Sequence, residues 1–146
     1  MTQTPTPKEW RAGGDWLDYK GHRTFFTVRG EGQPFLMLHG FPNASYYFVK
    51  IVPLLAKRFW IILIDFLSYG FSDKPHHHPY SLFEQTDIMQ AVAAHLGLEW
   101  YFLLTHDMGI SVTLEILKRN QPIVDKLMML DGLSLSLWHF REVPVP

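Results

Sequence analysis

The sequence predicts an α/β fold built on a mostly parallel, doubly wound sheet, and two observations carry that prediction. Four near-continuous apolar runs, at residues 34–40, 59–66, 101–107 and 125–130, are typical of strands covered on both faces of a parallel sheet. Segments with helical signals separate these runs, and such alternation favours right-handed crossovers between parallel strands. In sheets of this kind, reactive groups gather at the carboxyl ends of the strands.

The N-terminal region precedes this alternation. Residues 1–14 are polar and contain prolines, so we expect a flexible arm. Two strand-like runs, 16–20 and 22–29, follow on either side of Gly21, and the second run ends among glycines. Short strands separated by a glycine turn predict an antiparallel pair.

Three helices are expected between the apolar runs. The first lies within residues 46–58, where Pro53 must kink it or mark its start. The second begins at residues 81–84, which have the form of a capping box, and ends at Gly97. The third covers residues 108–120 and follows the run 101–107 with no intervening loop.

Composition limits the class of protein. The 146 residues are 47% hydrophobic, which fits one globular domain, placed here at 15–131. Lysine and arginine (13) nearly balance aspartate and glutamate (14), so we expect no nucleic-acid partner. The absence of cysteine excludes thiolate catalysis, and the adjacent histidines 76–78 are poorly spaced for a metal. With no signal peptide and no membrane-spanning run, we expect a soluble, cytoplasmic protein.

The segment "LLTHDMGIS" holds the first candidate site residue, Asp107. A strand that turns directly into a helix needs small residues around the turn, and Gly109 and Ser111 supply them. The carboxylate would then stand at a helix N-terminus, where the helix dipole favours an anion, in a nucleophile-elbow geometry with aspartate in place of serine. The alternative is an aspartate that simply caps the helix. The segment alone favours neither interpretation.

The segment "HGFP" adds a second element. His39 and Gly40 close an apolar strand with a glycine turn, and Pro42 follows Phe41. If this strand neighbours the one before Asp107, the N–H groups of Phe41 and Met108 converge into an oxyanion hole. A plain strand-ending turn is the alternative. The two segments in this order favour a catalytic site, for which we expect no cofactor and no metal. The aromatic-rich segment 41–48 suggests a small apolar substrate.

Three motifs in order, "HGFP", "DFLSYGFSDKP" and "HDMG", resemble the α/β-hydrolase family, in its epoxide hydrolase and haloalkane dehalogenase branch. Residues 65–85 followed by "HLGL" are similar to the mesoderm-specific transcript hydrolases. The resemblance covers residues 16–130. It implies an α/β-hydrolase fold, of which this chain would form the N-terminal portion, with C-terminal strands and lid missing.

The resemblance also implies roles for individual residues. Asp107 would attack carbon to give an alkyl-enzyme ester, while the amides of Phe41 and Met108 would hold the oxyanion and Asp65 would shape the adjoining loop. The supporting motif positions are His39, Gly40, Pro42, His106 and Gly109. Dehalogenases typically carry side-chain N–H donors at the positions of Phe41 and Met108. Since neither side chain can donate, epoxide- or ester-type hydrolysis fits better than halide removal.

The base that completes this mechanism is a histidine late in the family's chains. His139 lies where a lid would begin and is not expected to be this base, so we expect the chain to be inactive in turnover. Residues 132–146 are expected to be a tail or the start of a lid. Asp131, at the end of the last apolar run, is either the acid of the catalytic group or a turn residue. An alternative function is association, with itself or a partner chain, through an apolar sheet edge at 125–130.

Overall fold

The computed structural model describes residues 4–132, and its centre is a six-stranded sheet. The strands are β1 (Asp15–Tyr19), β2 (His22–Arg29), β3 (Gln33–Leu38), β4 (Phe59–Ile64), β5 (Trp100–His106) and β6 (Ile123–Leu130). The helices are α1 (Pro7–Ala12), α2 (Val52–Leu55), α3 (Leu82–His95) and α4 (Met108–Arg119), with a 3₁₀ turn at Ser45–Phe48.

The order of strands across the sheet is β1-β2-β4-β3-β5-β6. The β1–β2 and β2–β4 pairs are antiparallel, whereas β3 pairs in parallel with β4 and β5, and β5 with β6. The predicted α/β class and the antiparallel N-terminal pair are therefore confirmed. The parallel strands bring the carboxyl ends of β3, β4 and β5 to one edge, where the candidate residues lie.

Two hydrophobic cores, one on each face of the sheet, explain the near-continuous apolar runs. Leu36 and Leu38 of β3 face the core beneath α3 and α4, which contribute side chains such as Met89 and Val112. Met37, between the two leucines, faces the other core, together with the short N-terminal helices. Because successive side chains of a strand point to opposite faces, a central strand needs apolar residues at every position.

The expectation of a flexible arm at residues 1–14 is wrong for the segment 7–12, which forms α1. Thr6 and Glu9 make a reciprocal capping box at its start. Trp10 is 1% exposed, and its indole N–H donates a hydrogen bond to Ser45 Oγ at 3.1 Å. The polar composition of residues 1–14 gave no indication of α1, because a single large aromatic side chain can hold a short helix in place without an apolar run.

The positions predicted for the three helices between the apolar runs are confirmed, although the first helix is shorter than its expected range. Within 46–58, Pro53 lies in the first turn of α2, so it marks the start of the helix rather than a kink. Ser81 caps α3 by accepting from the N–H of Glu84, and Gly97 follows its end at φ 69°. Among residues 4–132, no helix combines the length and the apolar character needed to cross a membrane.

The last strand forms the apolar sheet edge that was expected at residues 125–130. β6 forms one edge of the sheet, and almost all of its residues are exposed. Exposed positions include Leu127, Met128, Met129 and Leu130. Within the described part of the chain, Val124 is the residue of this strand that packs against the core beneath α3 and α4.

Candidate active site

The turn between β5 and α4 is sharp and strained at its tip. Asp107 has φ 49° and ψ −119°, a backbone region that residues other than glycine rarely adopt. Two residues later the strand and helix approach closely: a Cβ added at Gly109 would lie 2.8 Å from Thr105 Oγ1 and 3.0 Å from the carbonyl oxygen of Leu38. The close approach and the strain together present the Asp107 side chain at the carboxyl edge of the sheet.

The Asp107 carboxylate does not cap α4, although the residue occupies the N-cap position. Its Oδ2 instead accepts a hydrogen bond from the backbone N–H of Phe41 at 2.7 Å. The donor comes from the loop after β3, 66 residues earlier in the chain. This geometry disfavours the helix-capping alternative for Asp107.

The two amides expected to form an oxyanion hole both lie beside Asp107. A Cβ added at Gly40 would lie 2.4 Å from Asp107 Cβ and 2.5 Å from Oδ2, so only glycine allows the Phe41 amide to come this close. Met108 is the first residue of α4, and its N–H therefore has no partner within the helix. The Phe41–Pro42 peptide is cis, and the Phe41 side chain is largely exposed at the site.

His39 is a buried structural residue whose ring nitrogens are both engaged. Nε2 accepts from the N–H of Phe66 at 3.1 Å, so Nδ1 carries the proton and donates to the Gly40 carbonyl at 2.9 Å. The ring thus ties the loop after β3 to the end of β4. From the sequence, His39 was expected only as a supporting position of the motif "HGFP".

His39 should make the fold sensitive to acid. Burial is the main cause that lowers its pKa from the usual 6.5, and nearby His106 lowers it further, against opposing effects of the Gly40 carbonyl and Asp65. The unfolded chain therefore binds more protons just below about pH 6.5, and stability falls as pH drops through this range. When the pH is lowered from about 7.5 to about 5.5, the unfolding free energy of His39→Gln should fall less than that of the unmodified chain, as measured by urea unfolding.

The matched control for this measurement is His76→Gln, which changes an exposed histidine of the loop before α3. It should retain the full pH dependence of the unmodified chain. An equal loss of stability on acidification in His39→Gln and in the unmodified chain would contradict the assignment of the acid sensitivity to His39.

Asp65 organises the loop at residues 65–75. Its buried carboxylate accepts from the N–H of Ser45 at 2.6 Å through Oδ1 and from the N–H of Phe71 at 2.8 Å through Oδ2. A Cβ added at Gly70 would lie 2.0 Å from Oδ2, so the chain wraps tightly around the carboxylate. Asp65 is thereby occupied with backbone donors and positions the wall of the site instead of facing substrate.

His106 and Asp131 flank the elbow on the side of β6. The His106 ring stacks on Tyr47, with centroids 5.0 Å apart and planes 23° apart. Leu130 pairs with His106 across the β5–β6 register, so Asp131 follows β6 as Asp107 follows β5. Asp131 is exposed and has φ 48°. His139 and the expected tail at 133–146 lie outside the described residues.

A cavity of about 240 Å³ opens beside the elbow. Its lining combines apolar side chains with hydroxyl and amide groups, from Leu67, Ser68, Tyr69, Tyr80, Ser81, Leu82, Gln85 and Met108. This cavity was not expected from the sequence, although Tyr69 lies inside one of the quoted motifs. Met108 links the cavity to the turn between β5 and α4.

Gln85 fixes one wall of this cavity. Its side-chain oxygen accepts from the N–H of Leu67 at 2.9 Å, and its NH₂ group donates to the carbonyl of the same residue at 3.1 Å. Both bonds are buried, so the amide replaces the backbone partners that a strand would have supplied. In the sequence, Gln85 stood out only as the last residue of the segment 65–85 that carries the family resemblance.

One histidine of the triplet 76–78 contacts a carboxylate. His78 Nε2 lies 2.7 Å from Glu84 Oε2, and its ring packs against His22 with centroids 5.1 Å apart. Within residues 4–132, no group of three or more histidine, cysteine, aspartate or glutamate side chains is arranged to hold a metal ion.

Comparison with known proteins gives consistent matches. A family model described as alpha/beta hydrolase fold matches residues 33–142. The chain is 40% identical over 140 residues to the mesoderm-specific transcript homolog protein of Homo sapiens, covering 91% of this chain and 42% of that protein. It is 32% identical over 126 residues to a soluble epoxide hydrolase of Corynebacterium sp., covering 86% of this chain and 44% of that protein.

A solved structure supports the same relationship. An alpha/beta hydrolase fold protein from Burkholderia ambifaria superposes with a TM-score of 0.78 at 27% identity, covering 84% of this chain and 45% of that chain. The chain therefore spans less than half the length of the relatives that it matches.

Proposed function

Because the chain belongs to the alpha/beta hydrolase fold family, we propose that Asp107 is the nucleophile of a hydrolase that acts on epoxide- or ester-type substrates through an alkyl-enzyme intermediate. The observation that carries the proposal is the 2.7 Å hydrogen bond from the Phe41 N–H to Asp107 Oδ2. That bond orients one carboxylate oxygen and leaves the other for attack. The name of the related soluble epoxide hydrolase supports the substrate class.

The proposed reaction has two halves. In the first, an Asp107 carboxylate oxygen attacks an epoxide carbon, forming one C–O bond while the ring C–O bond breaks. A carboxylate is already an anion at neutral pH and needs no base for this step. In the second half, water must be activated to cleave the ester, and the amides of Phe41 and Met108 would hold the oxyanion.

Residues 4–132 supply the groups that the first half of this reaction needs. His39, the histidine next to the Phe41 loop, has both ring nitrogens engaged and cannot take a proton from water without breaking a bond. We therefore propose that this chain is alkylated once and does not turn over.

Labelling with a reactive epoxide tests the proposal. The chain is incubated with styrene oxide at neutral pH and digested, and the peptide that contains Asp107 is analysed by mass spectrometry. We expect an adduct on Asp107 that accumulates to one per chain, with no continuing release of diol. Labelling spread over other carboxylates, or none at Asp107, would contradict the nucleophile, and sustained diol release would contradict a single alkylation.

A second proposal, of a different class, is association through the β6 edge. It is supported by the exposed apolar side chains of that strand, including Met128 at 54% and Leu130 at 40%. Exposed apolar edge strands are ready templates for pairing with another chain. We propose a second copy of this chain as the partner.

Sedimentation velocity measures this association directly. The unmodified chain should form dimers that weaken in Met128→Lys, because a charge on the edge opposes pairing. Leu54→Lys is the matched control, since Leu54 is 66% exposed on α2 and lies away from the edge. A monomer at every concentration, or equal weakening by both substitutions, would contradict the proposal.

A further inference from the structure

Helix α1, near the start of the chain, is fastened to the loop after β3. The indole N–H of Trp10 donates to Ser45 Oγ at 3.1 Å, and this bond is buried. One residue further along, the Tyr46 hydroxyl donates at 2.9 Å to the carbonyl of Pro5, which precedes the helix. Two hydrogen bonds from opposite directions thus fix the position of α1 on this loop.

The same N-terminal segment also holds the loop after β4. The guanidinium carbon of Arg11 lies 5.8 Å from the ring centroid of Phe71 and 5.6 Å from that of Trp16. The indole N–H of Trp16, in β1, donates to the carbonyl oxygen of Phe71 at 3.2 Å. Phe71 is therefore held by side chains from both α1 and β1.

Asp65 joins the two loops to each other. Its Oδ1 accepts from the N–H of Ser45 at 2.6 Å, and its Oδ2 accepts from the N–H of Phe71 at 2.8 Å. A continuous path of hydrogen bonds, which we call the Trp10 path, therefore runs from Trp10 through Ser45 and Asp65 to Phe71.

Burial makes the Trp10 path rigid. Its first two bonds, from Trp10 to Ser45 and from Ser45 to Asp65, are buried, so water cannot readily replace a lost partner. A buried carboxylate that loses a donor keeps a charge that is poorly compensated, which is costly. A shift of Ser45 should therefore move Asp65, and with it the loop at residues 65–75.

That loop forms one wall of the cavity beside the elbow. Its residues Leu67, Ser68 and Tyr69 line the cavity, opposite residues 80–82, 85 and 108. Within the loop, the N–H of Tyr69 donates to the Phe66 carbonyl, and the N–H of Ser72 donates to the Tyr69 carbonyl. The wall is thus a compact turn whose position depends on where Asp65 holds Phe71.

We propose, on the basis of the function proposed above, that Trp10 is a positioning residue for the candidate site. Acting along the Trp10 path, it holds the loop 65–75 in the position that closes the cavity. The apolar substituent of the substrate binds in that cavity, next to Asp107. An N-terminal helix that lies outside the cavity lining thereby sets how tightly the substrate is bound.

The orientation of the nucleophile has a separate origin. Asp107 accepts from the N–H of Phe41, and His39 accepts from the N–H of Phe66, so this end of the loop after β3 is anchored without α1. Loss of the Trp10 bond should therefore weaken binding in the cavity and leave the reactivity of Asp107 intact.

The concentration dependence of Asp107 labelling separates binding from chemistry. Trp10→Phe keeps an aromatic ring but removes the N–H that Ser45 accepts. We expect the half-saturating concentration of styrene oxide to rise roughly fivefold, the usual effect of one lost hydrogen bond, while the maximal rate constant stays within about twofold. Benzyl bromide, an alkylating probe with a similar aromatic substituent, should show the same split.

Trp100→Phe is the matched control for this substitution. Trp100 is the first residue of β5, at the end of the strand opposite His106, and is 37% exposed. The control should alter neither the half-saturating concentration nor the maximal rate constant.

Amide proton chemical shifts test the Trp10 path without any labelling. In Trp10→Phe the N–H groups of Ser45 and Phe71 should shift upfield, because their hydrogen bonds to Asp65 lengthen. Ser45→Ala removes the acceptor of the Trp10 N–H but keeps the indole ring, so an upfield shift of the Phe71 amide in this variant cannot come from a changed ring current. Trp100→Phe should leave both amides in place.

Each outcome decides the proposal. An unchanged half-saturating concentration in Trp10→Phe would overturn it, and so would a maximal rate constant that falls by more than about twofold, or an equal change in Trp100→Phe. If neither probe labels Asp107 in the unmodified chain, the nucleophile is wrong. The amide shifts still decide the Trp10 path in that case, since unchanged shifts of Ser45 and Phe71 would overturn the positioning role of Trp10.

Discussion

Asp107→Asn should abolish labelling by styrene oxide and by benzyl bromide while the protein stays folded. An amide has nearly the same shape as a carboxylate but is a far weaker nucleophile, and removal of a nucleophile costs on the order of 10⁶-fold in rate. The adduct should therefore fall below detection in peptide mass spectrometry. The Asn oxygen can still accept from the Phe41 N–H, so the unfolding free energy should change by about 1 kcal/mol or less.

Asp131→Asn is the matched control, because Asp131 follows β6 as Asp107 follows β5. If Asp131 is an acid that orients a base, it acts in ester hydrolysis, and its loss leaves alkylation intact. Equal loss of labelling in both variants would contradict the assignment of Asp107 as the nucleophile. Labelling of Asp107→Asn at the original rate would do so as well.

The strands could be predicted from the sequence because burial on both faces leaves a local signature. Leu36 and Met37 are neighbours in β3, yet they lie in different cores on opposite faces of the sheet. Each must be apolar, so the sequence of the strand is continuously hydrophobic. The run 125–130 has the same apolar character, and its position at the edge of the sheet, which was also expected, leaves it exposed among the described residues.

The elements that the sequence did not reveal depend on contacts between distant segments. The Trp10 indole bonds to Ser45, 35 residues away, and the Tyr69 hydroxyl reaches Met108, 39 residues away. Hydrophobic periodicity is a local property, so it does not predict contacts between residues that are distant in the sequence. α1 and the contact between Tyr69 and Met108 therefore became visible only in the folded chain.

The ambiguity at Asp107 had the same origin. A helix cap and a nucleophile elbow both place a carboxylate at the first turn of a helix, so the local sequence is compatible with either. The partner of the carboxylate separates them. A capping side chain accepts from its own helix, whereas Asp107 accepts from Phe41 after β3, a neighbour of β5 in the sheet.

Gly40→Ala should slow labelling of Asp107 roughly 100-fold, because displacement of a reacting group by about 1 Å can cost that much. The added Cβ would lie 2.4 Å from Asp107 Cβ and 2.9 Å from Cγ, so the loop after β3 must move away. The Phe41 N–H would move with it and no longer orient the carboxylate. Overpacking of this kind should also lower the unfolding free energy by about 1–3 kcal/mol, measured by urea unfolding.

Gly21→Ala separates the position of the loop from the general cost of replacing a glycine. Gly21 has φ 84°, so alanine there is strained, but a Cβ would meet no atom within 4 Å. This variant should lose stability and keep its labelling rate. If instead Gly40→Ala labels as fast as the unmodified chain, or Gly21→Ala slows as much, close approach of the Phe41 amide does not set the reactivity of Asp107. The orientation of the carboxylate would then have to come from the strained elbow alone.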